Sequence, residues 1–166
     1  DGTLVDVDGF CCSPEGLRLL PGVGEAIRLL REEGYKILVL TNQSGIARGY
    51  FTAETLEAIH RKMELELAKE GAHLDGIYVC PHLPGEDCLC HKPRTGLALR
   101  AIEEHGLDPK LCWVVGDTGS DAAMGKALGC RTIKVGTIPQ RPDQRADIAV
   151  ANLWEAAKSI VETGLG

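Results

Sequence analysis

The sequence predicts a doubly wound α/β fold, and three observations carry that prediction. Short apolar runs alternate with stretches of helical periodicity along the whole chain. Two of the runs break off into polar residues, Leu40 into Thr41-Asn42 and Val115-Gly116 into Asp117. Buried parallel strands behave this way at their carboxyl ends, where such sheets bind ligands. Finally, glycine stands just past two of the helical stretches, at Gly34 and Gly129.

The elements follow in order. Val23 to Glu33 carries Val23, Ile27 and Leu30 at helical spacing, with Gly34 as the stop. Lys36-Ile37-Leu38-Val39-Leu40 reads as a buried strand. Thr52 can cap a helix whose Leu56, Ile59, Met63 and Leu67 form one stripe. Ile77-Tyr78-Val79 is a second strand, and Gly96 to Glu104 a helix. Cys112 to Val115 is a strand, followed by a helix from Asp121 to Leu128. Arg131 to Val135 and Asp147 to Val150 are short strands, and Leu153 to Val161 a last helix. Gly136 to Arg145, with two prolines, reads as a surface loop.

A length of 166 residues suits one domain over 1–166, and 44% hydrophobic with 25% charged residues suits a globular protein. A net charge of -6 argues against a nucleic-acid partner but permits a small phosphate ligand. No apolar run is long enough to span a bilayer and no leader precedes the fold, so the expected setting is cytoplasmic and the expected state a monomer. The chain opens on Asp1 rather than Met, which reads as a fragment or processed form.

Three stretches carry chemistry. Gly116-Asp117-Thr118-Gly119-Ser120-Asp121 places two carboxylates past a strand, hard oxygen ligands that suit Mg²⁺. A solvated turn with Asp121 capping the next helix accounts for the same residues equally well. Thr41-Asn42-Gln43-Ser44-Gly45 offers a hydroxyl, amides and glycine-permitted backbone donors to phosphate oxygens. Lys92 adds a point charge. Cys80-Pro81-His82 and Cys88-Leu89-Cys90 are two ligand pairs joined by a short loop, as in a closed tetrahedral Zn²⁺ site. Three thiolates and one imidazole leave no open position, so that metal is expected to be structural. Cys112 and Cys130 read as core residues, and no role is assigned to Cys11, Cys12, His60, His73 or His105.

Together these residues resemble the haloacid dehalogenase superfamily of phosphatases, in the branch of heptose bisphosphate and histidinol-phosphate phosphatases. The resemblance rests on Asp1-Gly2-Thr3, the string from Thr41 to Gly49, Cys80-Pro81-His82, Cys88 through Pro93, and Gly116-Asp117. It implies a Rossmann-like parallel sheet with a short flap around residues 5 to 20 and a zinc loop instead of a large cap. It implies a small-molecule phosphate ester as substrate and an attacking aspartate two residues before Asp1. Asp1 then matches the general acid and base, and Thr41 and Lys92 the groups holding the phosphoryl. Asp117, with Asp121 and the Asp1 carbonyl, is the expected Mg²⁺ site. Gly9 and Phe10 occupy the place of the flap's Gly-aromatic pair, and Asn42, Gln43, Ser44 and His91 are expected to meet substrate.

Asp6-Val7-Asp8-Gly9 is a rival Asp-Xaa-Asp-Gly placement, disfavoured because it lies too close to Thr41 for the family spacing. His91 stands where the heptose enzymes commonly carry Arg, without the bidentate fork. The implied activity is removal of the 7-phosphate from heptose 1,7-bisphosphate, with histidinol phosphate as the next substrate. A phosphosugar-binding relic, should the chain truly start at Asp1, and a zinc-stabilised interaction module are the non-catalytic alternatives.

Overall fold

The computed structural model describes residues 1–137 and 141–164. Five strands and five α-helices follow one another through the described residues, alternating except that no α-helix separates β4 from β5: α1 (Val23–Glu32), β1 (Leu38–Asn42), α2 (Ala53–Lys69), β2 (Gly76–Cys80), α3 (Gly96–His105), β3 (Trp113–Gly116), α4 (Gly119–Ala127), β4 (Arg131–Val135), β5 (Ile148–Val150) and α5 (Leu153–Thr163). All strand pairings are parallel: β1 with β2 in one sheet, and β3-β4-β5 in another. The α/β, parallel-sheet expectation is therefore met.

Helices cover both faces of the β3-β4-β5 sheet. Trp113, Val115 and Ile133 pack into the large apolar cluster shared by α1, α2 and α5. Their alternates, Val114 and Thr132, press on Gly125 of α4 so closely that any β-carbon there would collide with Thr132. Successive strand residues point to opposite faces, so α4 lies across the sheet from that cluster. A smaller cluster of Tyr78, Cys80, Leu97 and Ala101 seats α3 on β2.

Local sequence explains the boundaries. Thr52 caps α2 by accepting from the Thr55 amide, and the buried residues of α2 are the predicted stripe Leu56, Ile59, Met63 and Leu67. Gly34 and Gly129, at φ of 87° and 77°, end α1 and α4 as expected. β1 begins two residues later than predicted and takes in Thr41 and Asn42, because it pairs with β2 up to Asn42↔Cys80. α4 begins at Gly119 rather than Asp121, since Thr118 is its cap and Asp121, its third residue, accepts from the Thr118 amide.

A flap rises over residues 5 to 20. Its stem is one antiparallel bridge, Val5↔Leu19, with Asp6 donating its amide to the Arg18 carbonyl at 2.9 Å. The loop expected over Gly136 to Arg145 falls partly outside the described residues. No helix among the described residues is long and apolar enough to cross a membrane.

Candidate active site

β1 and β3 deliver Thr41, Asn42 and Asp117 at their carboxyl ends, and the loop after β2 delivers Lys92. The Lys92 ammonium donates to an Asp121 carboxylate oxygen at 2.7 Å and to the Leu40 carbonyl at 2.7 Å. Thr118 donates to the other Asp121 oxygen from its hydroxyl at 2.7 Å and from its amide at 3.1 Å. Both oxygens of the nearly buried Asp121 thus have protein partners; the cap of α4 is Thr118, and Asp121, the third residue of that helix, accepts from the Thr118 amide.

Asp117 is differently placed. Thr3 donates its hydroxyl to Asp117 Oδ1 at 3.2 Å, which ties the first residues to the end of β3. Gly2 has φ 67°, and a β-carbon there would lie 2.2 Å from Asp117 Oδ2. The carboxylate therefore lies directly against the main chain beside Asp1.

Buried Gln43 bridges two of the expected catalytic groups. Its Nε2 donates to Asp1 Oδ2 at 3.2 Å and to Thr41 Oγ1 at 2.9 Å. Asn42 is also committed: its Oδ1 accepts from the Lys92 amide at 3.0 Å, and its Nδ2 donates to the Lys92 carbonyl at 3.2 Å. Sequence reasoning offered both amides to phosphate, whereas here they hold Asp1, Thr41 and Lys92. Ser44 accepts at its carbonyl from the Arg48 amide, 3.0 Å away, within the turn after β1. Asp6 stays exposed on the flap stem, while Asp1 and Thr3 make the contacts to Gln43 and Asp117.

The flap lays Phe10 over this turn. Its ring meets Tyr50 edge-on, with centroids 5.3 Å apart, and lies 6.4 Å from that of Phe51. A β-carbon on Gly45 would strike Phe51 at 2.3 Å and Phe10 at 3.1 Å, so glycine lets the flap rest on the turn. Gly9 precedes Phe10 with φ 88°. Tyr50 escaped the sequence reading; its only signal there was an aromatic directly after the Thr41–Gly49 string.

Next to Lys92 lies a cluster of soft donors. One ligand atom each from Cys80, His82, Cys88 and Cys90 lies within 4.8 Å of the others. Cys90 Sγ is 3.0 Å from Cys80 Sγ and 3.2 Å from His82 Nδ1. Burial and the Cys90 thiol push Cys80 up to about 12, which disfavours its thiolate unless a cation shares the site. Burial also opposes ionisation of Cys88, but the His91 and Cys90 amides outweigh it and bring that thiol down to about 7. His91 turns its Nδ1 to within 3.7 Å of Cys80 Sγ, towards the cluster.

The sequence profile of the haloacid dehalogenase-like hydrolases matches residues 1–129. The chain is 35% identical to the D-glycero-beta-D-manno-heptose-1,7-bisphosphate 7-phosphatase of Haemophilus ducreyi, over 92% of this chain and 90% of that one. It is 41% identical to the enzyme of the same name from Pasteurella multocida, over 76% and 72%. Among solved structures, D,D-heptose 1,7-bisphosphate phosphatase from B. bronchiseptica, complexed with magnesium and phosphate, superposes with a TM-score of 0.87. That match has 31% identity and covers 99% of this chain and 96% of the other.

Proposed function

The chain belongs to the haloacid dehalogenase-like hydrolases and is a phosphoric monoester hydrolase, and from that premise we propose that it removes the 7-phosphate from a heptose 1,7-bisphosphate. The observation that carries this reading is the meeting of Lys92, Thr41, Asp1 and Asp117 around the carboxyl ends of β1 and β3. A cation, a hydroxyl and two carboxylates gathered at the carboxyl ends of parallel strands are what a phosphoryl group needs to be held and its ester oxygen protonated.

Asp117 and the main-chain carbonyl of Asp1 fit Mg²⁺, because hard oxygens are drawn together where the Asp117 carboxylate lies against Gly2. When bound, that ion offsets charge on the phosphoryl oxygens. Asp121 is better suited to holding Lys92, since both its oxygens are occupied by Lys92 and Thr118. The attacking carboxylate belongs two residues before Asp1, by the family pattern. Asp1, oriented by Gln43, holds the proton that passes to the leaving sugar oxygen and then removes one from the hydrolytic water. Thr41 and Lys92 grip the phosphoryl oxygens through both steps.

Cys80, His82, Cys88 and Cys90 fit Zn²⁺ by number, softness and mutual distance. With four protein donors the role is structural, and free thiols suit a reducing, cytoplasmic setting. Metal analysis of freshly reduced protein should find about one zinc per chain; protein free of zinc would rule this out.

The reading is tested by kcat/KM on heptose 1,7-bisphosphate and histidinol phosphate side by side, using protein expressed from its complete coding sequence. A clear preference for the heptose ester is expected. Comparably poor rates on both would defeat it.

A further inference from the structure

We infer that Asn42 is a positioning residue: its carboxamide fixes where the Lys92 ammonium sits, by gripping the Lys92 main chain rather than the substrate. This rests on the phosphatase reading above, and it deepens the role of that one cation.

The geometry is a closed ring. Asn42 Oδ1 accepts from the Lys92 amide at 3.0 Å, while Nδ2 of the same group donates to the Lys92 carbonyl at 3.2 Å. A carboxamide carries an acceptor and a donor side by side, so it can satisfy both polar atoms of one peptide residue at once. Ala could satisfy neither, and Asp could keep only the acceptor half.

Lys92 needs such a bracket because its neighbours do not belong to any helix or strand. It follows the Cys/His loop and lies before α3, which starts only at Gly96. Asn42, by contrast, ends β1, held in register opposite Cys80 of β2. The bracket transfers the rigidity of a paired strand to a residue on a loop. The same strand receives the far end of the side chain, since the ammonium donates to the Leu40 carbonyl at 2.7 Å. Lys92 is thus pinned to β1 at its amide, its carbonyl and its ammonium.

Freeing the main chain would leave the ammonium held only at its tip, by Leu40 and Asp121, so that it shifts relative to the phosphoryl group while keeping its charge. Misplacement of a catalytic group by about 1 Å can cost on the order of 10²-fold in rate.

The test is a double-mutant cycle on protein from the complete coding sequence, with Mg²⁺ and heptose bisphosphate. Wild type, Asn42→Ala, Lys92→Ala and the double variant are compared for kcat, KM and melting temperature. The expected result is a kcat for Asn42→Ala lower by on the order of 10²-fold with KM unchanged. In the Lys92→Ala background the same change should cost nothing further, because its route to the substrate is gone. Asn42→Asp should fall between wild type and Asn42→Ala, and provides a second reading if the alanine variant fails to fold.

A raised KM with unchanged kcat, losses that multiply across the cycle, or Asp worse than Ala would each overturn the inference in favour of substrate contact. Asn42→Ala as active as wild type beside an impaired Lys92→Ala would also overturn it. Lys92→Ala as active as wild type would instead bring down the phosphatase reading itself, and the inference with it.

Discussion

Two ion pairs stand at opposite ends of β1, built from the same chemistry and put to different uses. At the amino end, Arg31 of α1 meets Asp75, with side chains 24% and 23% exposed. At the carboxyl end, Lys92 meets Asp121, with side chains 13% and 9% exposed. Asp75 is enclosed by main chain as well: its carboxylate accepts from the Ile37 amide at 2.7 Å, and its own amide donates to the Ile37 carbonyl at 2.7 Å. The first pair fastens α1 and the start of β2 to the start of β1. The second fastens a loop to α4 with the cation proposed to grip the phosphoryl group. Among the described residues two of the ammonium's three donors are engaged, which leaves one for a phosphate oxygen. Parallel sheets bind ligands at their carboxyl ends, so position along the strand decides which pair is a fastener and which is a site.

That contrast can be broken at several points. The largest effect is expected for Lys92→Ala, which should lower kcat by on the order of 10²–10³-fold and, by leaving the Asp121 charge unpaired, also lower the melting temperature. Steady-state kinetics beside a thermal melt checks both halves, and a large melting loss with normal kcat would make Lys92 a fastener too. Stripping the Cys/His cluster with a chelator should lower the melting temperature by roughly 10 °C, since metal binding at such a site is folding free energy. Calorimetry before and after zinc is returned would measure it. Asp121→Asn comes next: it keeps the shape but removes the charge facing Lys92, so kcat should drop about tenfold or more. The smallest effect belongs to the amino end. Asp75→Asn should cost about 1–2 kcal/mol of stability and leave kcat/KM as it was, as denaturant titration and kinetics would show.

Acid sharpens the same comparison. Burial pushes the Asp75 carboxyl up, but the Ile37 amide and the Arg31 guanidinium outweigh it and hold the group below its usual range. A depressed carboxylate contributes stability that is complete above its unfolded value, near pH 4, and is lost as pH falls through the folded value. Stability of Asp75→Asn should therefore change less than that of wild type as pH falls below about 4.

How much of this was legible in the chain follows from distance along it. The stripe Leu56, Ile59, Met63 and Leu67 was readable because helical burial repeats locally, and all four are buried. The start of α4 was misplaced although Thr118 and Asp121 stand at capping-box spacing, a signal available in the sequence. The donors of the site were recognisable by type, but their partners were not. Asn42 meets Lys92 fifty residues away, and Gln43 meets Asp1 across forty-two. Periodicity carries no information over such separations; only the parallel register that brings strand ends together supplies it. For the same reason the approach of His91 Nδ1 to Cys80 Sγ, at 3.7 Å, could not be read from spacing.

Gly2 and Gly9 share a left-handed backbone, with φ of 67° and 88°, yet they face opposite constraints. Around Gly9 a β-carbon would meet nothing within 4 Å, while at Gly2 it would run into the Asp117 carboxylate at 2.2 Å. A saturation library should therefore favour glycine at position 9 with only Asn and Asp also surviving, and should return only glycine at position 2. The first motif is thus gauged by the last one: the absent side chain is the clearance that lets the Asp117 carboxylate lie against the main chain beside Asp1.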